Sequence, residues 1–157
     1  MRELPCTHSC FVCGDSNVSG LRLRFKTDGR VVQTQFVPGS QHVGFKETVH
    51  GGLIATILDE TMVWACAVAT RRFAFCAELG VRFLSPARPG DHTVAIAELV
   101  VNRRDRIFEA KAELRNSSGT LLAVATGKYL PIKDADSPSM LADLKGDSSL
   151  IFGSQKS

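Results

Sequence analysis

The sequence has no uninterrupted apolar run of the length of about eighteen residues that a membrane span needs, and no signal-like apolar segment follows Met1–Pro5. Both absences argue against a membrane, and the expected location is the cytoplasm. Charge of one sign is also scarce. With 19 Lys and Arg against 16 Asp and Glu, the formal net charge is only +3 and the basic residues are dispersed. That argues against a nucleic-acid face and suits an anionic small molecule. The five cysteines are an odd number, with Cys66 in an expected helix and Cys76 in an expected strand, so reduced thiols fit better than a disulfide framework. No internal repeat is visible. What remains is the composition of one globular domain with a real core: 157 residues, 44% hydrophobic and 22% charged.

Along the chain, Met1–Ser19 is irregular apart from its cysteines. Leu21–Phe25 alternates apolar and basic residues, as a half-buried strand does, and Asp28-Gly29 marks a hairpin turn into a second strand over Val31–Val37 with Val32, Thr34 and Phe36 on one face. From Gly51 to Thr70 small and apolar residues occur on nearly every side, with no proline, which predicts a helix buried over most of its circumference. Arg71 and Arg72 suit the negative end of its dipole. Four strands follow: Phe73–Phe83, with Phe73, Phe75, Ala77, Leu79, Val81 and Phe83 on one face, then His92–Val101, Arg106–Arg115 and Thr120–Pro131. Residues 20–132 thus form the domain, and the polar segment 133–157 is expected to be a loose extension. One long apolar helix and an antiparallel sheet satisfy each other when the sheet wraps the helix. That α+β arrangement is the hotdog fold.

The stretch "TVHGGLIATILDE", Thr48–Glu60, sets two carboxylates on a helix that should be buried. Isolated carboxylates are rarely buried, so Asp59 needs either a structural partner or a chemical role. At the other end, Gly51 and Gly52 mark the first helical turn, whose free amides and dipole can stabilise a developing oxyanion. The same glycines also suit a tight entry into the helix. Asp59 lies about 12 Å along the axis from Gly51, whereas an oxyanion donor and a base must both come within about 3 Å of one reacting centre. If both residues act on one carbonyl, they must come from different subunits, as a homodimer or homotetramer with sites in the interface. Glu60 points about 100° away and is expected to pair with a basic residue.

The residues "HGG" at His50–Gly52, Asp59, and "AELGVRFLSPARPGD" at Ala77–Asp91 together resemble acyl-CoA thioesterases of the hotdog superfamily, in the phenylacetate-pathway type. "CFVCGDSNVSGLRLRF", Cys10–Phe25, resembles the opening of one subgroup. The resemblance implies an acyl-CoA substrate, no cofactor, a Gly51 amide on the thioester oxygen, His50 shaping that pocket or meeting the leaving group, and Asp59 of the facing subunit as base or nucleophile. Cys76 stands where relatives often carry Ser or Thr to hold the attacking water, and some relatives have Asn near the position of Gly44.

Other signals are weaker. Cys10-x2-Cys13 has the spacing of half a zinc knuckle, but Cys6 and His8 are too close to complete it, so no metal site is expected. Arg103, Arg104 and Arg106 fit the phosphates of coenzyme A and equally fit a solvated hairpin tip. Nothing adjacent in sequence would make Cys76 a nucleophile. A non-catalytic acyl-CoA-binding module is the alternative function. A hotdog hydratase ranks third, since the Asp-x4-His arrangement of one such family is absent.

Overall fold

The computed structural model describes residues 1–152. The strands before the main helix are β1 (Arg2–Glu3), β2 (Cys6–Thr7), β3 (Phe25–Thr27), β4 (Val31–Phe36), β5 (Val43–Phe45) and β6 (Thr48–Val49). Helix α1 (Gly51–Thr70) follows, then β7 (Ala74–Phe83), β8 (Thr93–Arg103), β9 (Ile107–Asn116) and β10 (Leu121–Pro131). The chain continues through α2 (Ser137–Ala142), β11 (Leu144–Lys145) and α3 (Ser149–Phe152). The main sheet has seven strands in the order β1-β3-β4-β8-β9-β10-β7, antiparallel throughout. It wraps α1, giving the α+β hotdog fold expected from the residue pattern.

The Asp28-Gly29 turn closes the first hairpin as anticipated: Asp28 Oδ1 accepts the Arg30 and Val31 amides, each at 2.9 Å, and Gly29 has φ +97°. Leu21–Arg24, by contrast, is not strand. Leu21 and Leu23 donate their amides to the Phe11 and Val12 carbonyls, and Arg22 has φ +52°. The alternation of Leu23 and Phe25 toward the core is real, but alternation reports a buried face and not which backbone pairs with it.

Helix α1 covers the span predicted for it. Over 18 of its residues the mean hydropathy is 1.5, enough for a membrane span by composition, and half of that window is buried inside the fold. Its floor is built of small side chains. Across the inner face of the sheet, Ala97, Ala112 and Ala125 lie in one register row, with Ala95, Ala110 and Ala123 nearby, all buried. Small side chains there let the helix approach the strands closely. Trp64 fills the far end of the core, with ring centroids 6.0 Å from Phe25 and 5.6 Å from Phe73. The helix stops at Arg71, in the left-handed region at φ 60°, whose amide bonds the Ala67 carbonyl.

Strand β7 departs from the sequence reading. Tyr129 sits opposite Cys76 and Lys128 opposite Glu78, so Ala77 is bulged. Before the bulge Ala74 and Cys76 share the inner side with Tyr129, and after it Leu79, Val81 and Phe83 do. The single apolar face expected from Phe73 to Phe83 is therefore broken, and Phe75, 63% exposed, lies opposite the exposed Leu130. The strand is also an edge.

The C-terminal extension does not stand apart from the domain through Phe152. Strand β11 pairs with β2, Ile151 is fully buried, and Phe152 packs on Phe73 at 5.6 Å. A few apolar residues in a polar segment suffice when the N-terminal arm offers a strand to pair with. The remaining residues of the expected extension, 153–157, lie outside the described ones.

Candidate active site

The two glycines at the start of α1 serve different purposes. A methyl group on Gly52 would meet His50 Nδ1 at 3.0 Å, so the glycine lets the imidazole fold back over the first turn. There His50 caps the helix, Nδ1 accepting the Gly52 amide at 2.9 Å. In the neutral ring this leaves the N–H on Nε2. Sequence reasoning that offered both glycine amides to a substrate is corrected, because the Gly52 donor is already used. The Gly51 amide donates to no group of the chain among the described residues. The adjoining cavity, about 290 Å³, is lined by Thr48, Gly51, Ile54 and Phe83 among others. Gly44 backs this entry: a Cβ there would lie 3.1 Å from the His50 ring and Cα, so an Asn at this position would push His50 aside.

Asp59 sits two turns further along, in a different cavity of about 530 Å³ that it shares with Cys10, Glu60, Trp64, Phe73, Cys76 and Met140. The hydroxyl of Tyr129 donates to Asp59 Oδ1 at 2.9 Å. Burial, reinforced by the carboxylate, pushes the Tyr129 phenol well above its usual range, so it remains a donor at any ordinary pH. Gly127 makes this contact possible. A Cβ on Gly127 would lie 2.6 to 2.9 Å from the Tyr129 ring and hydroxyl, so only glycine leaves the ring its path toward the helix. Cys76, brought inward by the bulge at Ala77, also faces Asp59. Burial and then the Asp59 carboxylate push its thiol up to about 11, so it is a protonated neighbour and not a thiolate nucleophile.

Among the described residues, Glu60 pairs with no basic side chain. Its Oε1 accepts the Trp64 indole N–H at 3.2 Å and lies 3.6 Å from Cys10 Sγ. Burial first, and the Cys10 charge second, push the Glu60 carboxyl up to about 7. The Cys10, Cys13 and Glu60 ligand atoms all lie within 4.8 Å of one another. A hydrogen bond from Cys13 and the nearby Val12 amide pull Cys10 down, while Cys13 is pushed up by that same contact and by burial.

The structure therefore brings Asp59 and Cys76 together and sets Gly51, Gly52 and His50 apart from them at the other end of β7. Arg103, Arg104 and Arg106 line neither cavity: Arg103 is paired with Glu109 at 2.6 Å on an exposed hairpin. Their hairpin does lie at the Asp59 end of the sheet, in the register row Asn102–Phe108–Tyr129–Cys76. A larger depression, about 640 Å³, lies on the outer sheet face, where Glu98 is neutralised by Arg30 and Lys111, and holds none of these groups. Sequence reasoning missed Tyr129 and Gly127. The one available signal was that the chain's single tyrosine sits at an otherwise apolar inward position, two residues after a glycine.

A sequence profile described as the thioesterase superfamily matches residues 46–123, a span that contains Gly51, Asp59 and Cys76. No curated protein matches the chain in sequence. Among solved structures it is similar to the PaaI protein of E. coli, from the phenylacetic acid degradation operon, at 20% identity and TM-score 0.66, with 72% of this chain and 81% of that one covered. Zebra fish thioesterase superfamily member 2 gives 18% and 0.67 over 75% and 89% of the two chains. The smu.793 protein of Streptococcus mutans UA159, solved bound to acetyl CoA, gives 16% and 0.65 over 70% and 88%. At these identities the structural likeness establishes the shared fold.

Proposed function

This chain belongs to the hotdog-fold thioesterase superfamily, and we propose that it hydrolyses an acyl-CoA thioester at a site completed by a second copy of itself. One observation carries the reading. Gly51, with its unused amide, lies against Phe83 at one end of β7, and Asp59 faces Cys76 near the other, while β7 is an edge strand of ten residues. In an isologous antiparallel pairing of two β7 strands, the Phe83 end of one lies beside the Cys76 end of the other. Two complete sites result, each combining Gly51 of one subunit with Asp59 of its partner. The same pairing covers a backbone edge that would otherwise invite aggregation.

In such a site the thioester oxygen accepts the Gly51 N–H at the positive end of the helix dipole. Asp59, its Oδ1 held by Tyr129, takes a proton from water as the water oxygen bonds the carbonyl carbon, or attacks that carbon itself to form an acyl-aspartyl anhydride that water then hydrolyses to the free acid and Asp59. Collapse of the oxyanion breaks the C–S bond, and the CoA thiolate leaves and is protonated. His50, through Nε2–H, is placed to meet the substrate beside Gly51. The phosphates of CoA would extend toward polar surface, where the hairpin of Arg103, Arg104 and Arg106 is one available partner. The acetyl-CoA-bound neighbour of the same fold supports the substrate class.

Cys76 favours a second reading. A thiol holds an attacking water less well than a hydroxyl, so the same cavity would serve a non-catalytic acyl-CoA-binding module. Thiol release from a panel of short, medium, long and aromatic acyl-CoAs, compared between wild type and Asp59→Asn, separates the two. Turnover lost in a folded Asp59→Asn supports hydrolysis, whereas tight binding without release by the wild type supports the module. Turnover unchanged in Asp59→Asn overturns the role given to this residue.

A further inference from the structure

The N-terminal cysteines are left over by this chemistry, and the fold gives them a ligand the sequence does not offer nearby. Cys10 and Cys13 sit on a tight loop whose Gly14 amide bonds the Cys10 carbonyl at 2.8 Å. Only glycine fits there, since a Cβ on Gly14 would lie 2.3 Å from the Cys10 carbonyl oxygen and 2.9 Å from that of His8. The Val12 amide points at Cys10 Sγ at 3.3 Å, a donor well placed for a thiolate sulfur. Helix α1 then carries Glu60 to the same spot.

We infer that Cys10, Cys13 and Glu60 bind one thiophilic divalent cation, zinc by the chemistry of the ligands, with its fourth coordination position toward the cavity that Asp59 lines. Zn–S and Zn–O bonds of about 2.3 and 2.0 Å at a tetrahedral centre put sulfur and oxygen ligands about 3.5 Å apart and two sulfurs about 3.8 Å apart. The Cys10 Sγ to Glu60 Oε1 separation is 3.6 Å, and all three ligand atoms fall within 4.8 Å of one another. Around them stand the supporting groups a metal site needs. Trp64 Nε1 fixes the Glu60 carboxylate at 3.2 Å, and the Thr7 hydroxyl lies 3.4 Å from Cys13 Sγ. Two thiolates select zinc over magnesium or calcium. His8, the other nearby ligand type, is instead beside Asp15 at 3.5 Å. The ion ties the N-terminal arm to the helix wall of the Asp59 cavity. It is independent of the hydrolytic reading, because no step there uses it.

The test is zinc binding by the full-length protein, reduced and freed of metal, with elemental analysis after dialysis and cobalt substitution as a spectroscopic reporter. The expected result is one zinc per chain, a near-ultraviolet thiolate-to-cobalt charge-transfer band, and loss of both in Cys13→Ser. Glu60→Gln should weaken zinc at least about tenfold, the scale on which even supporting groups matter. Cys6→Ser and Cys76→Ser should bind as wild type. Should Cys13→Ser fail to fold, the wild type still decides: zinc should slow alkylation of Cys10 and Cys13, read by peptide mass spectrometry, at least about tenfold. Absence of stoichiometric zinc on the folded, reduced wild type, or equal alkylation rates with and without zinc, overturns the inference.

Discussion

Tyr129 donates its hydroxyl hydrogen to Asp59 Oδ1 at 2.9 Å across 70 residues of sequence, joining the sheet to the helix at the carboxylate proposed to act on the thioester. A hydrogen bond to a charged group is worth about 1.5–3 kcal/mol. Tyr129→Phe should therefore lower kcat by roughly 10- to 100-fold with little change in KM, since about 1.4 kcal/mol is a factor of ten. Gly127→Ala should reproduce the kcat loss by crowding the Tyr129 ring, although it leaves the hydroxyl in place. A kcat equal to wild type in both variants, with fold intact by circular dichroism, would remove Tyr129 from the site.

Complementation tests the shared site directly. Gly51→Pro deletes the amide but suits the first helical position, and the extended ψ of 128° at His50 suits a residue before proline. Gly51→Pro and Asp59→Asn should each be nearly inactive. After unfolding and co-refolding in equal amounts, half of the dimers are mixed and each mixed dimer has one intact site, so about a quarter of wild-type activity should return. No recovery would mean that both residues act within one chain.

Alkylation reads the environment of Cys76. With its thiol pushed up to about 11, only about a thousandth is thiolate at a pH of about 8, and reactivity should rise through the alkaline range instead of around the ordinary value near 8.5. The sign follows from the neighbour: Asp59→Asn removes the carboxylate and should shift the profile to lower pH. Cys76→Ser supplies a hydroxyl and should keep or raise kcat, measured as thiol release.

Stability should respond at the end of α1. Arg71 occupies a left-handed conformation that costs a residue with a side chain about 1 kcal/mol relative to glycine. Arg71→Gly should raise the stability by about that amount in urea unfolding, with unchanged activity.

The helix, its ends and the run of four strands after it were legible because they depend on periodicity and on glycine, proline and charge at turns. Gly51 and Asp59 were legible as candidates, and it is their separation along one helix that leads the proposal to a second subunit. The bulge at Ala77 was not, because the apolar residues at 73, 75, 79, 81 and 83 keep to odd-numbered positions on both sides of it. Periodicity cannot register an extra residue that leaves the alternation of letters intact. Tyr129 and the partners of Glu60 were hidden for another reason. They meet across 70 and 50 residues, and only the closed sheet brings them together.

The alanine floor beneath α1 has a consequence for the chemistry. Asp59 rides on the helix, whereas Tyr129 and Cys76 ride on the sheet, so their separation is set by the thickness of the layer between. Ala97, Ala112 and Ala125 are that layer. Ala112→Val touches no polar group of the site, yet it should work as a shim, lifting the helix and lengthening the carboxylate-to-phenol contact, which a crystal structure of the variant would measure. Volume in the middle of the sheet, as much as any polar residue, sets how near the acid stands to the phenol.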